Sequence, residues 1–140
     1  MQRIKRIQIS RKDLRKIIEE SIKNLSMEIC GLLMGKIDNK TAVIKRIKFT
    51  PNISESPIRF KIDPLTLYET YMEAEKRGEE VVGIFHSHPS SSQPSALDIE
   101  YMQVNPVVWL IVGVRGKENY EISAWQLFEG KIQPVEIIEE

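Results

Sequence analysis

Two stretches of this chain are apolar almost without interruption: Val81-Val82-Gly83-Ile84-Phe85 and Val107-Val108-Trp109-Leu110-Ile111-Val112-Gly113-Val114. Short continuous apolar runs bounded by polar segments read as buried strands. The second is the more hydrophobic and belongs at the centre of a sheet. Neither approaches the roughly 20 residues that a membrane-spanning helix needs. The rest of the chain must therefore be arranged to cover them.

The remaining segments supply the cover. Ile4 and Ile7 mark an opening strand. Ser10 then has the character of a helix cap, with Asp13 three residues on. Leu14, Ile17, Ile18, Ile22 and Leu25 follow at helical spacing, which predicts an amphipathic helix ending near Met27. ICGLLMGKI and TAVIKRIKF flank the polar turn Asp38-Asn39-Lys40 and predict a hairpin. A loop over 51–58 holds Pro51 and Pro57. Asp63-Pro64 opens a second helix with Leu65, Tyr68 and Met72 on one face, and Gly78 ends it. A short helix over 96–104, then YEISAWQLF and KIQPVEII, complete the order β-α-β-β-α-β-α-β-β-β. Hairpins mixed with helices predict an α/β fold with a mixed sheet. The 140 residues suit a single domain spanning 1–140.

Charge and cysteine content exclude several function classes. Twenty basic and twenty acidic residues cancel, so the chain lacks the basic excess of a nucleic-acid binder. The N-terminal MQRIKRIQISRKD carries charge throughout and has no apolar signal region. With no spanning segment either, the expected location is cytoplasmic, away from membranes. Cys30 is the only cysteine, so no internal disulfide can form. Among Ile29, Leu32 and Leu33 it reads as a buried core thiol rather than a nucleophile.

The chemistry-bearing feature is the pair of histidines. The chain has only two, His86 and His88, and residues two apart on a strand project from the same face. An isolated His-x-His is more often incidental than metal-binding. Asp98, beyond a Ser, Gln and Pro loop, changes that balance. Two imidazoles and a carboxylate make a three-ligand set with a fourth position open, the pattern of a catalytic zinc site. Ser95-Ala96-Leu97-Asp98 is equally a helix capping box, and the two roles are compatible. A hydrolase would also need a general base. Glu28 is the only acidic residue between Asn24 and Lys36, at the edge of an apolar strand where a carboxylate is partly desolvated. Spacing alone does not select it over a surface charge at a helix end.

Three motifs together resemble a known family. Met27-Glu28-Ile29-Cys30-Gly31-Leu32-Leu33-Met34-Gly35-Lys36, Gly83-Ile84-Phe85-His86-Ser87-His88-Pro89 and Ser95-Ala96-Leu97-Asp98 look like those of a JAMM (MPN+) metalloprotease. Arg59-Phe60 and Asp63-Pro64 extend the similarity over nearly the whole chain. The resemblance implies one zinc ion per chain with a bound water, held by His86, His88 and Asp98. It implies that Glu28 is the general base and then acid, and that Ser95 donates to the developing oxyanion. It implies a single-domain MPN sandwich of cytidine deaminase-like type, a curved mixed β-sheet flanked by helices. The loop from His88 to Ser95 is one residue shorter than is usual in the family, so a tighter turn is expected there.

The chain has little room for the insertions with which larger relatives grip ubiquitin. It resembles a minimal archaeal or bacterial enzyme: a zinc isopeptidase or peptidase that processes small ubiquitin-like modifier proteins or their conjugates. A peptidase releasing amino acids or peptides from a sulfur-carrier protein stays open, as does a non-catalytic MPN scaffold. A deaminase is excluded, because His-x-Glu and Pro-Cys-x-x-Cys are both absent. Exposed apolar positions are compatible with a homodimer, with no interface to point to.

Overall fold

The structure is a computed structural model that describes residues 2–54, 56, 59–89 and 91–140. Ten elements follow in the expected order: β1 (Arg6–Ile9), α1 (Arg11–Lys23), β2 (Cys30–Asp38), β3 (Thr41–Thr50), α2 (Pro64–Lys76), β4 (Glu80–His88), α3 (Ala96–Val104), β5 (Val108–Val114), β6 (Tyr120–Phe128) and β7 (Lys131–Glu139). Pro57, read as part of a loop, and Ser90, in the serine run, lie outside the described residues. No helix among the described residues is long and apolar enough to cross a membrane.

Each helix start follows from its cap. Ser10 Oγ accepts the Asp13 N–H at 3.1 Å and starts α1. Asp63 caps α2, with Pro64 in its first turn. Ser95 and Asp98 form a reciprocal capping box at α3. The end of α2 is a Schellman motif: Glu79 N–H donates to Ala74 O at 2.8 Å and Gly78 N–H to Glu75 O at 3.0 Å. Gly78 takes φ +71° there, which a residue without Cβ adopts at least cost.

Two helical expectations change. α1 stops at Lys23 rather than near Met27, because the Asn24 side chain donates to Glu20 O at 2.8 Å and so takes a last-turn carbonyl. Leu25 is consequently outside the helix and exposed. In α2 the buried residues are Thr70 and Ala74, with Leu67 packed beside them, while Leu65, Tyr68 and Met72 face solvent.

The expected sandwich, a curved mixed β-sheet flanked by helices, is not the fold. The strands close into a mixed barrel in the order β1-β3-β2-β4-β5-β6-β7. β1 closes it: Arg6 to Gln8 pair in parallel with Thr41 to Val43, and Arg6 to Ile9 pair in parallel with Glu136 to Glu139. A sheet that closes must bend, and β2 supplies the bend. Its ladder with β4 slips at Leu33/Met34 and its ladder with β3 at Met34/Gly35. Such bulges sharpen the local twist. Gly35 lets β3 approach closely; a Cβ there would lie 1.9 Å from Val43 O.

Closure explains the uninterrupted apolar runs. One core cluster draws residues from all seven strands, including Ile7, Leu33, Ile44, Phe85, Leu110, Ala124 and Val135, and α1 adds Leu14 and Ile17. A second cluster joins Leu32, Ile84 and Trp109 to Phe60, Ala74 of α2 and Met102 of α3. β2, β4 and β5 are thus apolar on both faces because both faces are covered. β4 and β5 pair in parallel, from Gly83↔Val108 to His88↔Gly113.

Gly35→Ala is expected to lower the urea midpoint by an amount equivalent to about 1–3 kcal/mol, the usual cost of overpacking. A wild-type midpoint would show that β2 and β3 do not approach this closely.

Candidate metal centre

β4 extends past Phe85 through His88, so both histidines lie on the strand itself. Ile84, His86 and His88 alternate onto one face, that of the cluster shared with α2 and α3. His86 is fully buried, and the His88 side chain is 11% exposed. Asp98 reaches them from the first turn of α3. His86 Nε2 lies 3.1 Å from Asp98 Oδ1, and His88 Nε2 lies 2.9 Å from Asp98 Oδ2.

The capping box aims this carboxylate. Ser95 N–H donates to Asp98 Oδ2 at 2.9 Å, and Asp98 N–H donates to Ser95 Oγ at 3.1 Å. That second bond uses an Oγ lone pair and leaves the hydroxyl proton to be donated elsewhere. The sequence's two readings of Ser95-x-x-Asp98 therefore coexist in one turn.

Both nitrogens of each ring face oxygen acceptors. His86 Nδ1 is 3.1 Å from Ser87 O, and His88 Nδ1 is 3.1 Å from Ser91 O. Carbonyl and carboxylate oxygens both only accept, so a neutral ring, with one proton for two acceptors, leaves one lone pair against an oxygen; with Nδ1 protonated it is the Nε2 lone pair. Both lone pairs face carboxylate oxygens. Such an arrangement is repulsive unless something positive lies between them. His86 Nε2 is also the one buried side-chain N or O atom without a hydrogen-bond partner among the described residues.

A metal ion would meet that need. Ligands about 2.0–2.1 Å from a tetrahedral ion lie roughly 3.3 Å from one another, close to the 2.9 and 3.1 Å observed. Without an ion, a proton takes the place. Burial would lower the His86 pKa, but bonding to Asp98 and Glu28 outweighs it and raises the pKa to about 9. Burial pushes the Asp98 carboxyl up, yet His86 and His88 outweigh that and hold it well below the usual carboxylate range.

Glu28 is buried rather than on the surface, and its Oε1 lies 3.4 Å from His86 Nδ1. Glu28, His86 and His88 each offer a ligand atom within 4.8 Å of the others. The five residues singled out from the sequence thus fall in one place: Glu28 and Asp98 each contact His86, Asp98 also contacts His88, and Ser95 lies at the exposed rim beside Asp98. Cys30, near Glu28, stays a core thiol. It is 1% exposed, and burial pushes its pKa up despite the Thr50 hydrogen bond.

Spacing gave no sign of the groups that hold these side chains. Phe60 stacks on His86 with centroids 4.4 Å apart and planes at 27°, and Trp109 meets the same ring edge-on at 5.8 Å. Phe60 also borders an apolar cleft of about 160 Å³ shared with Ile62, Leu67, Ile84, Tyr101 and Trp109. Side-chain hydrogen bonds from Asn52 and to Ser87 reach the backbone at Glu28.

Residues 10–128 match the family described as prokaryotic homologues of the JAB domain. A desampylase of Pyrococcus furiosus is 40% identical over 121 residues, covering 85% of this chain and 81% of the relative. A desampylase of Haloferax volcanii is 32% identical over 92 residues, 64% of this chain and 65% of the relative. Among solved structures, a Desulfitobacterium hafniense protein superposes with TM-score 0.83 at 26% identity, covering 96% of this chain and 92% of that one. A Salinibacter ruber protein gives TM-score 0.71 at 24% identity, covering 96% and 91%, which shows a shared fold.

Asp98→Asn keeps an acceptor for the Ser95 N–H but removes the negative charge between the rings. Bound divalent metal, measured by elemental analysis, is expected to fall from about one per chain to near none, with the helical circular-dichroism signal retained. Unchanged stoichiometry would remove Asp98 from the ligand set.

Proposed function

Because the chain belongs to the prokaryotic JAB-domain family, we propose that it is a zinc-dependent isopeptidase that releases small ubiquitin-like modifier proteins from their conjugates. The chain is a JAMM-type metallopeptidase, and two proteins similar to it are desampylases. The observation that carries the reading is the pair of Nε2 atoms facing the two oxygens of one buried carboxylate, with a second buried carboxylate at Nδ1 of His86.

His86, His88 and Asp98 would hold the metal. When bound, zinc supplies a Lewis acid that makes water an effective nucleophile at neutral pH. Glu28 takes the proton from the attacking water and returns it to the departing amine. Its burial keeps bulk water from competing for that proton. Ser95, whose Oγ lone pair is committed to Asp98 N–H, turns its proton toward the carbonyl oxygen as charge develops there. Asp98 therefore sits between two functions: it faces the histidines and fixes the serine that meets the substrate. Phe60 and Trp109 exclude water from the buried side of His86, which strengthens every charge interaction in the site.

The test is incubation with a small ubiquitin-like protein joined to a lysine side chain by an isopeptide bond, and with the same protein carrying a C-terminal peptide extension. Release of the modifier is expected, to be lost on chelation and restored by zinc. Glu28→Gln should retain zinc while kcat falls about 10²–10⁴-fold, the usual worth of a positioned acid–base group. Turnover that survives chelation, or a fully active Glu28→Gln protein, would overturn the assignment.

A further inference from the structure

Glu28 lies just outside the sheet. The ladder of β2 with β3 and β4 begins at Cys30, opposite Thr50 and His86. The peptide unit between Glu28 and Ile29 therefore has no strand neighbour to fix its plane, yet this plane sets where the Glu28 side chain leaves the backbone. Two side chains hold it, one at each end. Asn52 Nδ2 donates to Glu28 O at 2.9 Å, and the Ile29 N–H donates to Ser87 Oγ at 2.9 Å. The next carbonyl, Ile29 O, accepts the Ser87 N–H at 3.1 Å.

Asn52 does more than touch Glu28. Its amide also donates to Arg59 O at 3.1 Å, and its Oδ1 accepts the N–H of Ser54 at 2.9 Å and of Lys61 at 3.0 Å. Two carbonyls and two N–H groups surround the amide, which fixes its orientation and uses all four of its bonds. The adjoining backbone is drawn in too, with Ile53 N–H donating to Lys61 O at 2.9 Å. Phe60, which stacks on His86, lies between Arg59 and Lys61. One side chain thus ties the backbone of the base to the segment that walls the buried histidine.

We propose that Asn52 and Ser87 are positioning residues that clamp the Glu28–Ile29 peptide plane and so aim the Glu28 carboxylate. The inference rests on the reading of Glu28 as the general base. Proton transfer requires heavy atoms about 2.6–3.2 Å apart, and a displacement of about 1 Å at a reacting group costs on the order of 100-fold in rate. Rotation of an unclamped peptide moves the carboxylate by that much. The clamp reaches the base through the backbone and does not contact the reacting atoms.

The experiment compares Asn52→Asp, Ser87→Ala, Ser87→Thr and the Asn52→Asp/Ser87→Ala double variant in the full chain, using the isopeptide-linked conjugate above. Asn52→Asp keeps the two acceptor bonds to Ser54 and Lys61, loses the donor bonds and sets an anionic oxygen against Glu28 O and Arg59 O. Asn52→Asp and Ser87→Ala are each expected to lower kcat about 10–100-fold, as losses of supporting hydrogen bonds at such sites commonly do. KM should stay within about twofold and zinc near one per chain, since no ligand is touched. Ser87→Thr, which keeps the acceptor, should restore kcat. The double variant should lose little more than the worse single one, because either loss frees the same plane. Wild-type kcat in Asn52→Asp, fully multiplicative losses, or a loss of zinc parallel to the loss of rate would overturn the clamp. Glu28→Gln in the same assay separates the two ideas. If it is inactive while Asn52→Asp is fully active, only the clamp fails; if it is fully active, the base assignment fails first.

Discussion

A carboxylate flanked by two imidazole lone pairs is unstable without a positive charge, and much of this molecule is organised around that demand. Carbonyls of Ser87 and Ser91 face the far nitrogen of each histidine, so moving the one proton of a neutral ring only shifts the repulsion from one side to the other. What is left is to take up a proton, as the raised His86 pKa indicates, or to take up a cation. Burial sharpens the choice, because charge that water does not screen acts at nearly full strength.

The barrel provides the rigidity this requires. β4 carries both histidines and is held on one side by β2 and on the other by β5. Its inward residues join the core shared by all seven strands, and its outward residues pack beneath α2 and α3. A strand restrained on four sides has little freedom to shift. The parts of the site that come from outside the sheet, Glu28, Phe60 and Asp98, are held by local bonds instead: the Asn52 and Ser87 contacts, the stack on His86, and the α3 cap.

The features legible in the sequence were those written in neighbouring residues. Caps at Ser10, Asp63 and Ser95 gave the helix starts, apolar runs gave β4 and β5, and the two-residue spacing put His86 and His88 on one face. Closure was not legible, because it depends on Arg6–Ile9 pairing in parallel with segments that begin at Thr41 and Glu136. Four residues carry no pattern that names two distant partners. The α2 face was misjudged for a related reason. Leu65, Tyr68 and Met72 have helical spacing, yet the inward side is drawn by small Thr70 and Ala74, which allow the helix to lie close to β4. Periodicity identifies a stripe, and only packing decides which stripe turns inward. Asn52 gave no signal at all, since a saturated amide is recognisable only once its four partners are assembled.

The capping box at Ser95 and Asp98 joins two events that are separate in most enzymes. The turn that nucleates α3 is also the turn that delivers the Asp98 carboxylate to the histidines. Before that turn forms there is no anion opposite His86 and His88, and hence no competent site. The geometry facing the histidines is thereby as well defined as that one helical turn.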